Sequence, residues 1–133
     1  MTYTILKRTG LAIFAALTLS VTLPAASAMA AEAQTGNFTV SKTTDGLIKL
    51  GVKAYKRGDY KRAVKMNEQA LRSSLSKRKL AIAQSNLCAS YAKLDMMDEA
   101  HSACATALEL RPDYAPAQNN KAALTIRLVQ NTP

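Results

Sequence analysis

Residues 50–75, LGVKAYKRGDYKRAVKMNEQALRSSL, and residues 87–112, LCASYAKLDMMDEAHSACATALELRP, carry the same pattern. The two stretches align without a gap at an offset of 37, which places Ala63 opposite Ala100. A repeat of this length is typical of stacked helical units, each of which buries its apolar side against the next one. The repeat therefore predicts an all-α protein, built as a short solenoid.

The spacing of the apolar residues predicts five helices from residue 44 onward. Turns are expected at Gly58 and Asp95, and Pro112 ends the fourth helix. The third helix is predicted over about residues 79–94, and the fifth over about residues 116–129. Because the first and second helices, and likewise the third and fourth, are joined by links of about two residues, each pair must be antiparallel.

The first 30 residues have the composition of an export signal. Lys7 and Arg8 precede an apolar stretch over residues 11–23, and Ala28-Met29-Ala30 has the small-x-small form of a cleavage site. We expect cleavage after Ala30, with Ala28 as the second choice. The alternative is an uncleaved membrane anchor, but the apolar stretch is shorter than the roughly 20 residues of a spanning helix. The mature protein is therefore expected to be periplasmic or secreted.

Residues 31–43 lack a helical period and contain Gly, Thr and Ser. They are predicted to form a flexible leader. The folded part is then residues 44–130, which is one small domain with a modest core.

The repeat resembles the tetratricopeptide repeat, a family of helix-turn-helix units. The second unit, residues 81–114, carries most of the family pattern, and the first, residues 44–77, lacks the terminal Pro. The matching positions of the second unit are Leu87, Cys88, Tyr91, Ala100, Ala107, Leu108 and Pro112. At an offset of 34, Ala83, Asn86 and Ala89 recur as Ala117, Asn120 and Ala123. The resemblance implies two antiparallel repeats and a C-terminal capping helix over residues 116–129.

In this family, partners usually lie in a concave groove lined by the first helix of each unit. The resemblance places the groove at Ile48, Val52, Tyr55, Lys56, Ser85, Ala89, Lys93, Asn119, Ala123 and Arg127. It implies a protein-interaction module, such as a periplasmic adaptor or scaffold, with a protein or peptide partner. The alternative is that these are ordinary surface residues.

Positive charge is concentrated between residues 42 and 79. This segment contains twelve Lys or Arg and three acidic residues, which gives it a net charge of +9. Such a surface favours an anionic partner. An acidic protein segment or an anionic envelope component would fit, either as the groove's ligand or through the basic surface alone. Nucleic acid is a less suitable partner, because the aromatic side chains on which bases stack are sparse. A solvated face that keeps the protein soluble, or a structural subunit of an envelope complex, are the remaining interpretations.

Cys88 and Cys104 lie eight residues on either side of Met96, near the centre of the turn between the third and fourth helices. In an antiparallel hairpin these two positions face each other. Export to an oxidising compartment then favours a disulfide, whereas two buried thiols are the alternative.

Signatures of catalysis are not evident in the sequence. The single His, His101, stands among Ala and Ser on a helix, and the chain has no C-x-x-C motif and no Gly-rich phosphate loop. With one His and two paired Cys, a common metal-ligand set cannot be assembled. We therefore expect a non-enzymatic protein without cofactor or metal.

Overall fold

The computed structural model describes residues 36–130, which form an all-α protein. The predicted export signal, and residues 31–35 of the predicted leader, lie outside the described residues. The five helices are α1 (Gly46–Lys56), α2 (Tyr60–Leu71), α3 (Lys77–Lys93), α4 (Met97–Leu110) and α5 (Ala115–Gln130). Among residues 36–130, the structure contains no helix whose length and apolar character would let it cross a membrane.

The helices stack in chain order, as the repeat predicted. α1 packs against α2 and α3 against α4, and these two hairpins meet through α2 and α3. α5 packs against both α3 and α4 and closes the second hairpin. The solenoid-like arrangement predicted from the sequence is therefore confirmed.

The turns of the two hairpins use the same backbone conformation at the same repeat position. Gly58 has φ +80° and Asp95, which corresponds to it at the offset of 37, has φ +61°. Glycine enters this left-handed region without steric cost, and aspartate is one of the few other residues that visit it. Asp45 and Asp59 begin α1 and α2 by accepting backbone N–H groups, those of Leu47 and Ile48 in the first case.

The three residues that separate the repeats, 78–80, lie inside α3. This helix has 17 residues, whereas its counterpart α1 has 11. It begins at Lys77, two residues before the predicted start. The insertion thus lies in a helix that is six residues longer than its counterpart, and it does not lengthen the loop, because Ser76, at the helix N-cap, is followed by residues with good helix propensity.

The core is formed by small residues that let the helix backbones approach closely. Fully buried alanines occur on every helix from α2 to α5: Ala63, Ala70, Ala81, Ala83, Ala89, Ala92, Ala100, Ala107 and Ala117. Larger side chains fill the gaps, with Ile48 and Ile82 in one cluster and Leu87 and Leu124 in the other. Two close-packed clusters of this kind hold the helices in register.

Candidate functional site

The described part of the leader, residues 36–43, lies against the helices. The sequence predicted a flexible segment here, and the structure instead holds it with side-chain amides from α3 and α5. Exposure largely alternates along it: Phe38 and Val40 are half-buried, whereas Thr39 and Lys42 are exposed. This alternation is that of an extended chain with a period of two residues. We call residues 36–43 the docked leader.

Asn120 of α5 binds one residue of the docked leader through both of its amide atoms. Its Oδ1 accepts from the backbone N–H of Thr39 at 2.7 Å, and its Nδ2 donates to the carbonyl oxygen of Thr39 at 2.9 Å. The same Nδ2 also lies 3.1 Å from the carbonyl oxygen of Ser85. Asn120 therefore satisfies an extended backbone as a neighbouring strand would.

Asn86 of α3 repeats this arrangement two residues further along the leader. Its Oδ1 accepts from the N–H of Ser41 at 2.7 Å, and its Nδ2 donates to the carbonyl oxygen of Ser41 at 2.9 Å. Asn86 and Asn120 are both buried and occupy the same position of successive units. The two asparagines form hydrogen bonds only with backbone atoms of Ser41 and mainly with backbone atoms of Thr39. The pair therefore binds the backbone of an extended chain and depends little on the identity of its side chains.

Phe38 anchors the docked leader near its N-terminal end. Its ring packs against the core cluster that contains Leu87 and Leu124. The ammonium nitrogen of Lys93 lies 5.8 Å from the ring centroid, within the range of a cation–π contact. An apolar contact and a cation thus add to the hydrogen bonds of the two asparagines.

The residues predicted to line the groove divide into two sets. Five of them, which the sequence placed within reach of a partner, are buried: Ile48, Val52, Ser85, Ala89 and Ala123. Lys56, Lys93 and Asn119 are exposed, and Tyr55 and Arg127 are half-buried. As the chain stands, a partner can reach only the second set directly.

Three of the accessible residues come together beside the leader. Tyr55, Lys56 and Lys93 line an open depression of about 470 Å³ with Tyr60 and leader residues 37–40. The rings of Tyr55 and Tyr60 meet edge to face, with centroids 5.2 Å apart. Burial, with a smaller contribution from Tyr60, raises the pKa of Tyr55 to about 12.

Arg127 has a different environment from the other predicted groove cations. Its Nη1 donates to the carbonyl oxygen of Ala92 at 2.7 Å, and its Nη2 pairs with Asp95. The guanidinium therefore ties α5 to the C-terminal end of α3 and to the turn that follows it. The exposed Asn119 stands next to Asn120 on α5, and it is Asn120 that binds the leader.

The structure contains the disulfide between Cys88 and Cys104, with Cα atoms 5.2 Å apart. This confirms the pairing inferred from their equal distances to the turn. Residues 36–130 hold no group of three or more His, Cys, Asp or Glu side chains arranged to bind a metal ion.

Sequence reasoning missed the two asparagines that hold the leader, although it recognised that they recur at an offset of 34. The signal in the sequence that could have found them is a polar side chain on an apolar helix face. Asn86 lies between Ala83 and Ala89, and Asn120 between Ala117 and Ala123, so each amide stands on an otherwise apolar face. Because most buried amides are hydrogen-bonded, two such amides at equivalent positions indicate that polar groups lie beside them.

Comparisons of the chain with protein-family models, with curated proteins and with solved structures gave no match. The function must therefore be inferred from the surfaces described above.

Proposed function

We propose that this protein is a non-enzymatic interaction module, similar to tetratricopeptide repeat proteins, that holds an extended segment of a partner protein. The observation that carries the proposal is the pair Asn86 and Asn120, each of which binds both the N–H and the carbonyl oxygen of one leader residue. A site of this kind accepts any extended chain whose side chains fit its surroundings, by the logic of strand addition.

The docked leader is then an intramolecular occupant that a partner exchanges for its own segment. The leader can be exchanged if a partner segment replaces its hydrogen bonds with Asn86 and Asn120 and the contacts of Phe38 with the core and Lys93. It belongs to no helix, so its release leaves α1 to α5 intact. The export signal predicted from the sequence favours a role outside the cytoplasm, as a periplasmic or secreted adaptor.

The test uses a labelled peptide with the sequence of the docked leader, GNFTVSKT, added to the full-length mature protein. Phe38→Ala weakens the anchor of the attached leader but leaves both asparagines in place. This variant should therefore bind the free peptide more tightly than the unmodified protein does. Adding Asn86→Ala and Asn120→Ala should abolish that binding, because the backbone then has no partner.

Asn119→Ala, combined with Phe38→Ala, is the matched control, since it removes an exposed amide next to Asn120. It should leave peptide binding unchanged. Helical circular dichroism of each variant shows that the fold is retained. Equal peptide binding by all variants, or no binding after Phe38→Ala, would refute the proposal.

A further inference from the structure

The entire net charge of the protein resides in residues 42–79. The whole chain carries 18 basic and 9 acidic residues, and this segment holds twelve of the former and three of the latter, so both balances are +9. The first hairpin and the start of α3 are therefore strongly basic, and the rest of the chain is neutral overall.

All three carboxylates of this segment are already engaged in structural hydrogen bonds. Asp45 caps α1 and Asp59 caps α2. Glu68 accepts from the hydroxyl of Tyr91 at 2.6 Å. The salt bridges within residues 36–130, Arg111–Asp113 and Arg127–Asp95, lie outside the segment. None of the segment's cations therefore forms a salt bridge with a carboxylate among residues 36–130.

Five of these cations surround one depression of about 400 Å³, which we call the basic depression. It is lined by Lys42, Lys49, Lys53, Lys56 and Arg57, with Val52 between them. All five cations are exposed. Lys53 and Lys56 stand in the last turn of α1, where cations are favoured by the helix dipole. That effect does not account for Lys49, further up the helix, or for Lys42 on the leader.

Like charges on one helix face repel each other, as Lys49 and Lys53 do at a spacing of four residues. A concave surface lined by charges of one sign attracts ions of the opposite sign, and a bound anion would offset the repulsion between these cations. From this we infer that the basic depression is a second binding site, whose ligand is an acidic peptide segment of a partner protein. Its ligand would contact these cations and not the asparagine pair, which holds the leader beside them.

A peptide fits the depression better than an anionic membrane does. An anionic lipid surface attracts basic segments through charge, and apolar side chains that protrude among the cations and enter the bilayer strengthen this binding. Val52 is buried, and the exposed large apolar residues of the described chain are Leu50, Met96, Leu128 and Val129, of which only Leu50 belongs to the basic hairpin. A concave site with cations on its rim suits a chain of carboxylates instead.

The docked leader contributes one of the five cations, Lys42, to the basic depression. Lys42 follows Ser41, whose N–H and carbonyl oxygen are held by Asn86. Lys49, at the rim of the depression, occupies in the first unit the position that Asn86 has in the second. The basic depression therefore includes all five cations only while the leader is docked, and an acidic ligand should hold the leader in place.

The experiment measures fluorescence anisotropy of a labelled oligoglutamate peptide with the intact, disulfide-bonded protein. We expect Lys49→Glu/Lys53→Glu to weaken binding by about tenfold or more, because it reverses charges in direct contact with the ligand. Lys61→Glu/Lys65→Glu changes the net charge equally, on exposed residues of α2 with the same spacing. It lies outside the depression and should weaken binding by less than about threefold.

Lys42→Glu provides a variant that cannot disturb a helix, since residue 42 lies outside all five, and it should also weaken binding. Asn86→Ala changes no charge and should weaken it by releasing Lys42. If both double variants lost the same amount of peptide affinity, net charge alone would explain the effect and the inference would be overturned. An absence of peptide binding would overturn it too, including the case in which vesicles of anionic phospholipid bind instead.

Discussion

Gly51 of α1 faces Asn67 of α2 at the level where Cys88 faces Cys104 in the second hairpin. A Cβ atom on Gly51 would lie 2.4 Å from Nδ2 of Asn67, well inside the contact limit. The offset of 37 maps Gly51 onto Cys88 and Asn67 onto Cys104. The helices of each hairpin thus approach closely at this level. In the first hairpin a glycine lies against a buried amide, and in the second a disulfide joins the two helices.

Gly51→Ala should lower the free energy of unfolding by about 1–2 kcal/mol, because the added methyl group must displace a packed side chain. That side chain, Asn67, is buried and donates to the carbonyl oxygen of Ala63 at 2.8 Å. In an Asn67→Ala background the same change should instead stabilise the protein by up to about 1 kcal/mol, through helix propensity. Urea denaturation checks both values.

Gly46→Ala is the control for this prediction, since nothing lies within 4 Å of a Cβ atom at that position. It should not destabilise the protein. An equal effect of Gly51→Ala in both backgrounds would show that Asn67 is not the cause.

Gly51→Cys/Asn67→Cys should form a second disulfide. The sequence separation is 16, as it is for Cys88 and Cys104, and the positions are equivalent in the repeat. A bridge that closes a loop of this length stabilises by about 3 kcal/mol in the chain-entropy model. A peptide map without reduction identifies the bond. In Lys53→Cys/Asn67→Cys, where residue 53 is exposed on another face of α1, the new cysteines should remain unpaired.

Removal of the existing disulfide by Cys88→Ala/Cys104→Ala should lower the free energy of unfolding by about 3 kcal/mol. Both sulfur atoms are buried in the second core cluster, so alanine at both positions avoids an unpaired reactive thiol. Chemical denaturation of the unmodified protein with and without reductant gives an independent value. A loss below about 1 kcal/mol in both measurements would contradict the prediction.

The backbone amides of Thr39 and Ser41 should exchange with solvent more slowly than that of Val40, because they donate to Asn120 and Asn86. Residue-resolved hydrogen exchange measures this directly. Asn120→Ala should accelerate exchange at Thr39 more than at Ser41, and Asn86→Ala should do the reverse. Uniformly fast exchange at all three residues would show that the leader is undocked in solution.

Alkaline pH should destabilise the protein through Tyr55. An unfolded tyrosine ionises near pH 10, whereas burial raises the pKa of Tyr55 in the folded protein to about 12. Below pH 10 the tyrosine is neutral in both states and stability is unaffected. Between about pH 10 and 12 only the unfolded state releases the proton, so stability falls as the pH rises.

Tyr55→Phe keeps the ring contact with Tyr60 and removes the titrating hydroxyl. The loss of stability between pH 9 and 11, measured in urea, should therefore be smaller in this variant. All other groups are common to the two proteins, so the difference between the two curves isolates Tyr55. Identical curves would contradict the prediction.

The sequence by itself determined the helices, their order and the disulfide. Each of these follows from local spacing: the apolar period, the short turns at Gly58 and Asp95, and the equal distances of Cys88 and Cys104 from their turn. Helix ends were predicted less well. α3 begins at Lys77 because the residues inserted between the repeats continue a helix, which a repeat alignment does not reveal.

Only the tertiary structure decided which surface is open to a partner. The leader has no helical period, so its sequence suggested a flexible segment. In the structure, buried amides of α3 and α5 hold its backbone, although they lie 45 and 81 residues away in the chain. Likewise, the sequence located the excess of positive charge, but not that Lys42, three lysines of α1 and the following Arg57 surround one depression. Local patterns specify helices because their hydrogen bonds are local, whereas both proposed binding surfaces depend on contacts between distant parts of the chain.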